Sequence, residues 1–329
     1  MAAISVVCPV HDTPPPLLEA AARAVLAEPV AELLLADDAS RREETRAALA
    51  ALAAADPRVR VLRTEANLGP AGARNLAWRA ARGEWVGFTD ADDQWLPGRA
   101  ALLADALARE PAARWLSGPY RITFPDGRAE DLPPLSGEAA LGAAPLGGGW
   151  HRLAGPALTR RLPRSFCVHL GPTLVRRDAL EELGGFREGV WIGEDTLLFL
   201  LLSARHPLLY RAGPPLYAQR MEGASITNSA VMLRRGDAGM LRRAMREPLL
   251  RPFRRELRWA LYSAEKQLAA SNLLASNYPA AFAAALRGWA LDPRELPALL
   301  RFARAALAGG EARRALLGPY SAARVIVPR

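Results

Sequence analysis

The sequence predicts an α/β architecture: a mostly parallel sheet with helices on both faces, followed by a helical C-terminal region. Three observations predict it. Short apolar runs alternate with helical stretches through the first hundred residues, each run is almost continuously apolar, and beyond about Val231 the pattern is helical nearly to the end. Strands apolar on both faces belong to parallel sheets covered on both sides. A chain of 329 residues exceeds the usual single-domain size, so a catalytic domain with an appendage is expected.

The elements follow in order. Ile4–Pro9 reads as a strand ended by proline, and Leu17–Ala27 as an alanine-rich helix behind three prolines. Glu32–Ala36 is apolar, Arg42–Ala55 helical, Val59–Leu62 apolar, and Pro70–Ala81 helical with proline suited to its first turn. A fourth strand, Trp85–Thr89, follows Gly83, and a helix spans about Pro97–Ala108. Pro125–Pro163 is rich in glycine, proline and leucine without periodicity and reads as a long loop or flap. Regular signals return at Pro172–Arg176, near Asp178, and through Trp191–Ala204. The expected division is a catalytic domain over 1–228, with halves at about 1–95 and 96–228, and a helical subdomain over 229–329.

Composition narrows the class. Half the residues are hydrophobic and 23% charged, as in folded soluble proteins. The two cysteines, Cys8 and Cys167, support neither a disulfide framework nor a zinc cluster. No leader-like segment opens the chain and no apolar run reaches bilayer-spanning length, so a cytoplasmic protein is expected, or one peripheral at the inner face of the membrane. A formal charge of +9 suits anionic partners of any kind. Because Lys266 is the only lysine, the arginine richness reads as compositional bias.

In such sheets ligands bind at the carboxyl ends of the strands, where the strand order reverses. Polar residues there are His11 and Asp12, Asp37 and Asp38, Asn67, and Asp90, Asp92 and Asp93. Three carboxylates in four positions repel one another, and an oxygen-rich strand end suits Mg²⁺ or Mn²⁺, with diphosphate and water completing the shell. The plain alternative is a solvated turn in which Asp92 or Asp93 caps the next helix. Asp38 can accept from a base or ribose, or cap the following helix. Asn67-Leu-Gly-Pro-Ala-Gly-Ala-Arg-Asn75 opens a helix with small residues and favours an anion. It lacks the Gly-x-Gly-x-x-Gly spacing, which disfavours nicotinamide and flavin enzymes. Arg74 there is equally a structural ion-pair partner. Glu194-Asp195, after Gly184-Gly185-Phe186, opens another helix, where acidic residues are also favoured by the helix dipole.

Taken in order, Val-Val-Cys-Pro-Val, Ala-Asp-Asp-Ala-Ser, the Asn67–Asn75 segment, Gly-Glu-Trp-Val-Gly-Phe-Thr-Asp-Ala-Asp-Asp, and Gly-Gly-Phe followed by Gly-Glu-Asp resemble glycosyltransferase family 2, from about Ile4 to Ser225. The resemblance implies the Rossmann-like GT-A fold and inverting transfer of a sugar from a nucleotide-diphosphate donor, usually a UDP-sugar, to a hydroxyl acceptor in bacterial cell-surface polysaccharide or glycolipid synthesis. It implies Asp195 as catalytic base beside Glu194, with Asp92 and Asp90 holding a divalent Mn or Mg ion. Pro9, Val10, Asp12, Asp38, Asn67, Gly69, Arg74, Asp90 and Arg220 would line the donor site. Tyr217-Ala-Gln-Arg220 with Gly223 and Ser225 resembles the family's late segment near the diphosphate. His11-Asp12 stands where many members carry an aromatic or asparagine, and Ala39 where glycine is common.

Two rival readings are weaker. A sugar nucleotidyltransferase needs a glycine-rich basic loop after the first strand, and Pro9–Pro14 is not one. A non-catalytic GT-A-like binding protein would use the arginine-rich C-terminal helices against nucleic acid or a membrane. No nucleic-acid motif is present and no such partner is expected, whereas membrane-surface docking, or a plain packed subdomain, suits the helices.

Overall fold

The computed structural model describes residues 2–132, 142–164, 168–221 and 230–321. Cys167, Gly223 and Ser225 lie outside them. The chain divides into two compact units, Met1–Glu222 and Gly223–Arg329.

In chain order the first unit contains β1 (Ile4–Val10), α1 (Pro15–Leu26), β2 (Glu32–Asp37), α2 (Glu43–Ala55), β3 (Val59–Arg63), α3 (Gly69–Arg79), β4 (Trp85–Phe88), β5 (Gln94–Trp95) and α4 (Arg99–Arg109). Short strands follow: β6 (Trp115–Ser117), β7 (Arg121–Thr123), β8 (Ala129–Asp131), β9 (Ala144–Gly147) and β10 (Trp150–Leu153). Then come α5 (Gly155–Arg161), β11 (Leu174–Arg176), α6 (Arg177–Leu183), α7 (Glu194–Arg205), β12 (Leu208–Arg211) and β13 (Tyr217–Arg220). The second unit holds α8 (Ala230–Ala244), α9 (Arg254–Leu274), α10 (Tyr278–Leu291), α11 (Leu296–Leu307) and α12 (Gly310–Ser321).

Nine strands form the main sheet in the order β3-β2-β1-β4-β11-β6-β12-β10-β9. β3, β2, β1 and β4 run parallel, and antiparallel pairs enter from β11 onward. This is the parallel-rich, helix-covered sheet expected, with antiparallel additions. Every residue of β2 and β4 is buried, as continuous apolar runs require when helices cover both faces, whereas β3 alternates because it is an edge. From β1 the chain moves outward to β2 and β3, then returns across β1 to β4. The strand order therefore reverses between β1 and β4, which in sheets of this kind is where ligands bind, at the carboxyl ends.

Two features depart from expectation. The 125–163 stretch is not one long loop: among its described residues β9 and β10 form a hairpin that extends the main sheet, and β10 pairs with β12. Its turn uses Gly147, Gly148 and Gly149, all at positive φ, and a Cβ on Gly148 would lie 2.5 Å from the Arg109 guanidinium. Glycines that suggested irregularity are thus the turn of a hairpin. The second departure is a separate four-stranded sheet, β5-β13-β7-β8, built from two- to four-residue strands too short for sequence periodicity to reveal.

Trp95 on β5 fixes that sheet against β4. Its indole Nε1–H donates to the Phe88 carbonyl at 2.8 Å, and its ring lies where a Cβ on Gly87 would be 2.6 Å away. The acidic loop between β4 and β5 is therefore pinned at both ends.

Candidate active site

The nucleotide side is built from three strand ends. Asp38, 3% exposed, follows β2, and its carboxylate accepts from the Leu68 and Gly69 amides at 2.8 and 2.9 Å and from the Thr64 hydroxyl at 3.0 Å. It therefore caps α3, not the helix that follows it in sequence. Asn67 Oδ1 also accepts from the Gly69 amide at 2.9 Å. The His11 ring bonds the Asp38 carbonyl through Nδ1 at 2.7 Å and Asn67 Nδ2 through Nε2 at 3.1 Å. Since a carbonyl only accepts, Nδ1 carries the proton and Nε2 accepts from the amide.

Asp12 has φ +50° and accepts from the Arg41 and Arg42 amides at 2.7 and 2.8 Å. Those amide bonds, Arg42's first, hold its carboxyl below the usual range. Pro9 and Val10 close β1; the Val10 side chain is in the core and its carbonyl accepts from the Asp38 amide at 2.8 Å. Asp37 pairs with Arg63 and accepts from the Ser40 amide, so it braces the loop. Between them Ala39 takes φ +56°, a left-handed conformation that glycine adopts without strain.

The acidic loop after β4 divides its carboxylates by environment. Asp93 is buried and accepts from the Tyr217 hydroxyl and the Arg220 amide, both at 2.7 Å, which ties β13 to the loop. Burial pushes its pKa well up, with the charges of Asp90 and Asp92 adding. The Arg220 side chain reaches the Asp92 carbonyl at 3.3 Å. Neither Asp92 nor Asp93 caps α4; Glu28, from beyond α1, accepts the Gly98 and Ala100 amides instead. Even the buried Cys8 thiol feels the cluster: burial first, then Asp90 and Asp92, raise its pKa, against Arg74.

Arg74, on α3 and 4% exposed, joins the two acidic segments. One terminal nitrogen donates to Asp90 at 2.6 Å and the other to Glu194 at 2.5 Å. Asp90 and Glu194, from distant parts of the chain, thus meet across one guanidinium. Its Nε is buried without a partner. Burial raises Glu194 to about 7 against the pull of Arg74, with Asp195 adding to the rise. Burial also raises Asp195, although the Thr196 amide at 2.6 Å opposes this. Both carboxylates open α7 behind Gly193 at φ +81°.

Sequence reasoning missed two side chains near this cluster. His169 stacks on Tyr120 with ring centroids 4.3 Å apart and faces Tyr217 at 5.5 Å. Burial lowers His169 to about 4, so it is neutral at physiological pH. Burial and then the Asp195 charge push the Tyr120 hydroxyl up. These residues lie on irregular segments that carry no recognisable pattern, so only the fold brings them in.

For a divalent ion, Asp93 is excluded because its two oxygens hold Tyr217 and Arg220. Asp90, 44% exposed at its side chain, gives one oxygen to Arg74, and Asp92 stands half-buried beside it. Among the described residues no three His, Cys, Asp or Glu side chains form a ready metal cage. Mg²⁺ and Mn²⁺ sites built around a diphosphate need only one or two carboxylates, so Asp90 and Asp92 fit that requirement.

Comparison with known proteins gives a consistent result. The family model described as glycosyl transferase family 2 matches residues 5–184. The O-antigen biosynthesis protein RfbC of Myxococcus xanthus is 31% identical over 253 residues, 75% of this chain and 18% of that protein. The succinoglycan biosynthesis protein ExoU of Rhizobium meliloti is 32% identical over 63% of this chain and 60% of its own length. The chain thus spans less than two thirds of both relatives. Among solved structures, S. aureus TarS 1–349 in complex with UDP-GlcNAc superposes with a TM-score of 0.61 at 16% identity, covering 97% of this chain and 91% of that one. The mannosyltransferase PcManGT of Pyrobaculum calidifontis, in complex with GDP-Man and Mn²⁺, gives 0.53 at 20% identity, covering 93% and 87%. At such identities these two likenesses speak for the fold.

Proposed function

The chain belongs to glycosyl transferase family 2, and we propose that it is an inverting enzyme carrying a sugar from a nucleotide-diphosphate donor, a UDP-sugar, to a hydroxyl acceptor in bacterial cell-surface polysaccharide or glycolipid synthesis. The observation that carries this reading is the Arg74 bridge. It draws the aspartate loop at the end of β4 and the Glu194-Asp195 pair at the start of α7 to one guanidinium, which is what a site with separate leaving-group and base functions requires. The named roles of RfbC and ExoU in O-antigen and succinoglycan biosynthesis support the setting. TarS with UDP-GlcNAc and PcManGT with GDP-Man and Mn²⁺ support the donor class and the ion.

In the proposed reaction the nucleoside lies against His11, Asp12, Asn67 and the Asp38-capped start of α3, with Pro9, Val10 and Gly69 bounding the pocket. Arg74 positions Asp90 and Glu194, and Arg220 stands on the diphosphate side. Asp195 takes the proton of the acceptor hydroxyl as its oxygen bonds to the anomeric carbon. The bond from that carbon to the diphosphate oxygen breaks on the opposite face, and the nucleoside diphosphate leaves with the electron pair. A raised pKa suits Asp195 to this work, because a stronger base accepts a proton more readily. With one base and no protein nucleophile, displacement inverts the anomeric centre. A divalent ion on Asp92 and Asp90 would act as a Lewis acid that offsets charge on the departing diphosphate.

Asp195→Asn tests the base. UDP binding by calorimetry with Mn²⁺ is expected to stay within about twofold of wild type while sugar transfer falls by at least about a hundredfold. Transfer at the normal rate would remove Asp195 from this role.

A further inference from the structure

The positive charge of the chain is not spread evenly. Of 43 basic and 34 acidic residues, 18 and 7 fall within 223–329, so that unit carries +11 while residues 1–222 carry −2. The cationic excess therefore lies outside the unit that carries the candidate site.

The same unit exposes ordered apolar stripes on two helices. On α10, Phe282, Leu286 and Trp289 are all exposed and recur at i, i+4 and i+7, one side of a helix. On α11, Leu296, Leu300 and Leu307 are exposed, Leu307 at 91%, while Ala298, Phe302 and Ala305 are buried on the opposite side. That helix thus turns one apolar stripe inward and a second outward. Arg301 and Arg304 flank the outer stripe, and both line, with Leu300 and Leu316, a pocket of about 540 Å³ that mixes guanidinium with aliphatic surface. Scattered exposed leucines are ordinary, but aromatic and leucine side chains in register beside arginines are the composition of a helix lying in a membrane interface. No helix among the described residues is long and apolar enough to cross a membrane.

We propose that the C-terminal unit docks on an anionic lipid bilayer through the outward apolar stripes of α10 and α11, with Arg301 and Arg304 on the lipid phosphates. The apolar stripe enters the acyl boundary and the guanidinium groups remain at headgroup level. Anionic lipid is the occupant the charge selects; a neutral bilayer or a neutral protein face would leave +11 uncompensated.

The full chain is sedimented with vesicles of phosphatidylcholine alone or with phosphatidylglycerol, without nucleotide-sugar, so that failure of the donor reading leaves the result intact. Binding is expected only with phosphatidylglycerol. It should weaken about tenfold in Trp289→Ser/Leu300→Ser and in Arg301→Gln/Arg304→Gln, with unchanged circular dichroism because these side chains are exposed. Absent binding to anionic vesicles, or equal binding by both variants, would overturn the proposal. So would light scattering that shows a dimer lost on Leu300→Ser without vesicle binding, which would assign the face to a second copy. Displacement of the chain from vesicles by stoichiometric RNA would likewise assign the charge elsewhere.

Discussion

Arg74→Met tests the logic of the site most directly. The guanidinium is nearly fully buried and makes charge-assisted bonds of 2.5 Å to Glu194 and 2.6 Å to Asp90. Methionine keeps the aliphatic volume but removes both bonds. The Asp90 partner is 44% exposed at its side chain, so water takes over and that half is worth at most about 1 kcal/mol. Glu194 is buried and would be left as an uncompensated charge beside Asp195. Breaking a buried pair by removing one partner costs about 3–5 kcal/mol, so most of the loss belongs to this half. Glu194 can escape by taking up a proton, and burial already raises it to about 7. The cost is therefore greatest above that pH and shrinks below it. Urea unfolding of the full chain, at about pH 8 and about pH 5.5, should show a loss of about 3–5 kcal/mol at the higher pH and less than half of it at the lower. In a Glu194→Gln background the same substitution should cost about 1 kcal/mol. An equal loss at both pH values, or in both backgrounds, would refute the idea that one buried charge pair locks α3 to α7.

Other outcomes follow from the same geometry. Because burial raises Asp195, kcat/KM should rise with pH along an acid limb lying above the ordinary aspartate value of about 3.9 and level off once the base is ionised; Asp195→Asn should flatten that limb. Glu194 is raised from 4.5 to about 7, so the folded state holds more proton than the unfolded one in that interval and this group's contribution to stability falls as pH rises through it; Glu194→Gln should remove that slope from the pH dependence of Tm. Chelation of divalent ions should weaken UDP-sugar binding by at least about tenfold, and Asp92→Asn should reproduce most of that loss, whereas equal affinity with and without chelator would exclude an ion on Asp92. Ala39 sits at φ +56°, so Ala39→Gly should stabilise the chain by about 0.5–1 kcal/mol, the relief of left-handed strain less the entropy of glycine; a lower Tm would count against strain there.

Much of the fold was legible because its signals are local. β1 to β4 are apolar runs followed by alanine-rich helices, and their strand ends name the acidic residues before any coordinates. The second sheet was not legible, since β5, β7 and β8 have two or three residues each and pairing, not periodicity, defines them. The β9–β10 hairpin was hidden because its three glycines resemble the composition of a disordered loop. Within the site, Arg74 could be read as either a donor contact or an ion-pair partner, because its buried bridge exists only after α7 is brought beside α3. Arg220 shows the converse: the family resemblance implies a side chain near the diphosphate, and the fold adds a backbone amide that holds Asp93.

Eight acidic residues crowd this end of the sheet, and neighbours in sequence do different work because their partners differ. Asp37 is neutralised by Arg63, and Asp38 beside it satisfies the amides that open α3. Asp93 is fastened to Tyr217 and the Arg220 amide, while Asp90, three residues earlier, is more exposed and shares Arg74. Glu194 takes the other side of that arginine, leaving Asp195 raised by burial and held by the Thr196 amide. Environment thus separates the carboxylates into braces and those proposed for the ion and the base. A motif-level substitution of any one aspartate by asparagine should not behave like any other: at Asp93 the first loss is the anchoring of β13, and at Asp195 it is the proposed proton acceptor.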